Sequence, residues 1–135
     1  MEKEGKTIFA QIMSLIPRYE FDKCVKRYNG NRHAIEFKRR DQFLVMSFAL
    51  FIDQISLCSI DATLVTLSSK LYSSELKCIQ RSTLSHINGT EDCRIYHDFG
   101  QVLITWTREL YQNKPSRLDV DGIVYAFDSS TIKLF

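Results

Sequence analysis

The chain has little of what would take it out of the class of ordinary folded domains. Glycine and proline together fill only seven of its 135 positions. That excludes collagen-like repeats and Gly/Pro-rich linker segments, and nothing in the composition signals disorder. Charge of one sign is also missing: 18 Lys and Arg face 16 Asp and Glu, for a net of +2, which by itself selects no partner. The longest apolar run, Phe43 to Ile52, is ten residues interrupted by one serine. A bilayer span needs about 20, so no membrane segment is expected. The first six residues carry acid and lack an apolar stretch, so no secretory signal is visible. The four cysteines (Cys24, Cys58, Cys78 and Cys93) lie 34, 20 and 15 residues apart. No pair has zinc or redox spacing, and they read as small buried hydrophobes of a cytoplasmic protein.

What is present is a 44% apolar chain, long enough to bury a core without staples. Its charge is uneven. Residues 1–40 hold ten Lys/Arg against five Asp/Glu, while residues 41–135 hold eight against eleven. A basic leading segment ahead of a mildly acidic remainder is compatible with phosphate contact and equally with a solvated surface. Apolar spacing of three and four predicts a first helix from Ile8, capped by Thr7 and stopped by Pro17. A second runs from Glu20 to Tyr28, ended by Asn29-Gly30-Asn31, and the two form a short helical hairpin. Asp41 is placed to cap a third helix, Gln42 to about Ile52, apolar nearly all round and therefore central. Ser56 caps a fourth through Ile60 and Leu64. Ser82 caps a short fifth, Thr83 to about Asn88. Asp92 opens a sixth through Ile95, Phe99, Trp106 and Leu110, with Trp106 and the Phe43–Phe51 cluster assigned to the core.

After Pro115 the pattern changes. Ile123-Val124-Tyr125-Ala126-Phe127 is a continuous β-prone run of the kind found in a strand buried on both faces, and Thr131 to Phe135 begins another. Two strands alone are marginal, so residues 116–135 read as the opening hairpin of a larger sheet. Asp128 closes the first strand. There it is either the first residue of a Ser-rich turn or a carboxylate held at a strand end to bind a cation.

Thr7-Ile8-Phe9-Ala10-Gln11-Ile12, Asp41-Gln42-Phe43-Leu44, Ser56-Leu57 with Ile60, Arg81-Ser82-Thr83-Leu84-Ser85 and Tyr125-Ala126-Phe127-Asp128-Ser129-Ser130 occur in that order. The series resembles bacterial insertion-sequence transposases of the DDE type, in the group with a small helical domain of unknown function ahead of the catalytic core. The resemblance implies a mainly α fold: a helical DNA-binding domain over residues 1–115, then, over 116–135, the start of an incomplete ribonuclease-H-like α/β domain. It implies that Asp128 is the first of three acids that hold Mg²⁺ ions for attack on a phosphodiester. The other two acids of such proteins lie further downstream, so residues 1–135 are expected to be a catalytically inactive N-terminal fragment. The same resemblance makes duplex DNA at transposon ends the partner, with a homodimer as a possible assembly. It nominates Arg81, Ser82, Thr83, Ser85, His86 and Asn88, together with Arg39 and Arg40 in the basic connector, as DNA contacts. Ser82 as a plain helix cap accounts for that position as well. The rival reading is a non-enzymatic dimerisation module or a regulatory helical module that inhibits a full-length transposase.

Overall fold

A computed structural model describes residues 7–54 and 56–114. Six α-helices occur there: α1 (Ile8–Ser14), α2 (Arg18–Arg27), α3 (Arg39–Phe51), α4 (Leu57–Thr66), α5 (Arg81–Thr90) and α6 (Arg94–Tyr111). A 3₁₀ turn, Tyr72–Ser74, interrupts the long connection between α4 and α5. No strand occurs among the described residues, so the mainly helical expectation holds for them. The β-hairpin expected at 116–135, and Asp128 with it, lie outside the described residues. No helix among those described is long and apolar enough to cross a membrane.

Local chemistry sets most of the boundaries. Thr7 caps α1 as expected, its hydroxyl accepting from the Ala10 N–H at 3.2 Å. Pro17 separates α1 from α2 and leads directly into the latter, which begins two residues before the expected Glu20. At α3 the expectation is corrected. The helix begins at Arg39, and Asp41 sits in its first turn, where its carboxylate accepts from the Lys38 N–H at 2.8 Å. That is the acid half of a capping box, which marks the same helix start from inside rather than outside. Likewise α5 begins at Arg81 with Gln80 preceding it, so Ser82 is a helical residue and not the cap.

The described helices close over two separate apolar clusters. Cluster one gathers Phe9 of α1, Val45, Phe48 and Ala49 of α3, Ile60 and Leu64 of α4, Leu71 and Ile79 of the connection, and Leu84 and Ile87 of α5. Cluster two joins Phe21, Cys24 and Val25 of α2 to Ile95 and Phe99 of α6, with Phe43 of α3 packed against them. The expected hairpin of α1 on α2 is therefore replaced by a division: α1 goes to the first cluster and α2 packs chiefly on α6. The other core assignments are corrected in part. Trp106 is 44% exposed and Phe51 is also exposed, because α3 and α6 turn one face inward and leave the other to solvent. Of the cysteines only Cys24 is buried; Cys58, Cys78 and Cys93 are exposed, and all four are free thiols.

Candidate functional site

The segment between α2 and α3 is built by turns that hold it close to the body. Asn29 ends α2 in the left-handed region, at φ 51°, which Asn tolerates better than most residues. Gly30 follows against α6, where a Cβ would lie 2.6 Å from Ile95 Cδ1 and 3.0 Å from Arg39 Cγ. Any larger residue would have to push the Ile95 and Arg39 side chains aside. Two further turns follow, the Arg32 N–H donating to the Asn29 carbonyl and the Ala34 N–H to that of Asn31. The Asn31 side chain then accepts from the Arg39 N–H at 2.9 Å. Further along, Lys77 Nζ donates to the Glu36 carbonyl and to the Asp41 carboxylate, each at 3.1 Å.

Helix α5 stands beside this connector. Leu84 and Ile87 anchor it in cluster one, and its other faces are exposed. Between connector and helix lies a groove of about 710 Å³, bordered by Arg32, His33 and Phe37 on one side and Thr83, His86 and Thr90 on the other. Arg81, Ser82 and Ser85 face a neighbouring depression beside Leu57, with His86 shared between the two. Two segments nominated from the sequence, the basic connector and the Arg81–Asn88 stretch, are thus brought to one surface.

Two nominated residues play another part. Arg39 is 3% exposed, and its guanidinium pairs with Glu91 at 3.0 Å and donates to Gln42 Oε1 at 2.9 Å. Gln42 in turn donates to Asn88 Oδ1 at 2.7 Å and accepts from the Tyr96 hydroxyl at 2.7 Å. Burial pushes the Tyr96 phenol up to about 12. This network engages one guanidinium nitrogen of Arg39, leaves its Nε buried without a hydrogen-bond partner among the described residues, and ties α3, α5 and α6 together. Arg39 is accordingly engaged inside the protein, while Asn88 stays exposed with its side chain tied to Gln42, and together they hold the α5 surface in place. With the helix start placed at Gln42, Arg39 counted as connector; begun at Arg39, the helix puts Arg39 and Gln42 one turn apart on one face. Arg40 is partly covered and lies 3.5 Å from Glu75.

Of the described cations in the first forty residues, Lys23, Arg27, Arg39 and Arg40 are ion-paired. Arg18, Lys26, Arg32 and Lys38 make no ion pair among the described residues. Of the eight cations described there, four are thus ion-paired and four are not. Helices α4 and α5 pack on each other but are separated by residues 67–80, far beyond a helix-turn-helix linker. Among the described residues no group of three or more His, Cys, Asp or Glu is arranged to hold a metal ion.

A small helical bundle with a groove beside a basic connector is a class of many functions, and membership of a family narrows it. Residues 4–75 match the family model described as Domain of unknown function (DUF4372). The match spans just over half of the chain, which therefore belongs to that family, a domain found in transposase-like proteins. It covers α1 to α4 and the 3₁₀ turn; α5 and α6 follow it. No curated protein and no solved structure matches the chain.

Proposed function

We propose that this chain is the N-terminal region of a DDE transposase and that it binds duplex DNA at transposon ends. The observation that carries the reading is the meeting, around one groove, of the connector's Arg32 and His33 with the exposed face of α5, with exposed Lys38 following on the same connector outside the groove wall. Arg32 at the groove and Lys38 beyond it suit phosphates, and Ser82, Thr83, Ser85 and His86 offer polar side chains that reach backbone oxygens and base edges. Family membership supports the same reading. Arg39 and Asn88 act in it as positioning residues. Asp128, outside the described residues, is assigned the first of the three Mg²⁺-holding acids of that family.

Anisotropy titration of a labelled duplex carrying the inverted repeat that flanks the gene tests this. Affinity falls with salt by about 0.9 log unit per log unit of salt for each phosphate neutralised. Replacing Arg32 and Lys38 together by Ala flattens that slope by about 2. Binding that is absent at low salt, or indifferent to salt, overturns the reading.

One observation favours the rival. Along α6 the stripe that enters cluster two at Phe99 and Leu103 continues outward through Trp106 and Leu110, both exposed. An apolar stripe that outruns its core suits a second copy of the chain, hence a dimerisation or regulatory module. Sedimentation across a concentration series, without DNA, separates the two.

A further inference from the structure

Ile35 is 91% exposed, the most exposed large apolar side chain among the described residues. A single exposed isoleucine is ordinary on a protein surface. Three features of its setting are not. The backbone on both sides is fastened: the Ala34 N–H donates to the Asn31 carbonyl, and the Glu36 carbonyl accepts from Lys77. The ring of Phe37, two residues on, packs against cluster one. Ile35 is therefore held outward between two anchored neighbours. Second, Arg32 and Lys38 lie three residues away on each side, without ion-pair partners among the described residues, and His33 stands beside them. Third, Ile35 belongs to the wall of the same groove that α5 faces with Thr83 and His86.

We infer that Ile35 is an apolar wedge that enters a base step of bound duplex DNA and partly unstacks it. The inference rests on the DNA-binding reading above and adds a mode of contact to it. Proteins that distort duplexes commonly insert one aliphatic side chain between base pairs while flanking cations hold the phosphates. An anchored tip makes the insertion effective, because a loop free to swing would yield in place of the DNA. Glu36, the acidic member of the connector wall, repels phosphate and so directs the tip toward the bases and away from the backbone. Easily unstacked pyrimidine–purine steps are the favoured targets.

The test uses the full chain and a duplex with a fluorescent adenine analogue, bright when unstacked, placed at successive TA and CA steps. Bound by the wild-type chain, the duplex brightens at one step. Ile35→Ala loses that brightening while the salt dependence of binding stays unchanged, and Ile35→Met restores it. Salt-dependent binding with no brightening at any step overturns the wedge and leaves the DNA-binding reading standing. Brightening that survives in Ile35→Ala overturns it as well. Absence of salt-dependent binding overturns both.

Discussion

Cluster one is aliphatic and drawn from many elements, whereas cluster two is aromatic and closed essentially by two helices. In the first, branched side chains of α3, α4, α5 and the connection meet, with Phe9 and Phe48 edge to face at 5.3 Å. In the second, Phe21, Phe43 and Phe99 form a triangle with centroids 5.1 to 5.6 Å apart, two of its sides near perpendicular. Aliphatic cores tolerate repacking of similar volume, while edge-to-face rings depend on geometry. The candidate groove draws on both: α5 stands on cluster one, and the connector leaves the end of α2, which stands on cluster two. Its shape therefore depends on how firmly the two halves are joined through α3, which supplies Phe43 to one and Val45 and Phe48 to the other.

The strongest way to break this arrangement is to hollow each cluster in turn. Phe48→Ala and Phe21→Ala are each expected to lower stability by about 3–5 kcal/mol, through lost burial and the cavity left behind. Denaturant melts followed by both far-ultraviolet dichroism and the emission of Trp106, the only tryptophan, sharpen the comparison. Coincident midpoints in Phe21→Ala mean that the two clusters unfold as one unit; an earlier Trp106 transition means that α6 leaves first.

Gly30→Ala comes next, at about 1–3 kcal/mol, since the new methyl must push against Ile95 and Arg39. A melt with unchanged slope and lowered midpoint is the expected result.

Asp98 tests the polar edge of cluster two. It accepts from the Tyr28 hydroxyl at 2.8 Å and pairs with Arg27, and these hydrogen bonds, Tyr28 first, hold its carboxyl below the usual range. A lowered folded-state pKa gives a contribution that is present above the unfolded value, near 3.9, and is lost as pH falls through the folded one. Asp98→Asn is therefore less stable than wild type at neutral pH, and the two converge below about pH 4. A gap that persists in acid would assign the effect to packing. Smallest of all is Trp106→Ser, within about 0.5 kcal/mol, because half-exposed surface positions contribute little. A larger loss by dichroism would show that the end of α6 is covered.

The periodic signal made the helices legible in sequence, including the Thr7 cap and the stop at Pro17, because those are decided within one turn of chain. It did not say which helix packs on which. The spacings of Ile8 to Leu15 and of Phe21 to Tyr28 suit a hairpin, yet α2 meets α6 some seventy residues away, a choice made by ring shape and by the Arg27–Asp98 and Tyr28–Asp98 pairings. The candidate site was legible as residue types only. Buried Arg39 and surface Arg32 look alike in a basic run, and what separates them is the acceptor set of Gln42 and Glu91 across α3, α5 and the turn after it.

The division into clusters also bears on synthesis. Residues emerging from the N-terminus are held by partners that arrive at different times. Helix α1 can settle once residues up to the 3₁₀ turn are made, as the contact of the Thr7 hydroxyl with Ser74 at 3.0 Å indicates. Helix α2 can meet Phe43 of α3 early, but the rest of the cover over Phe21, Cys24 and Val25 waits until Ile95 and Phe99 of α6 exist. At about 5–20 residues per second that wait lasts roughly 4–15 s. For that interval the apolar stripe of α2 stands partly open, and chaperones or a neighbouring ribosome's product can reach it before its own partner does.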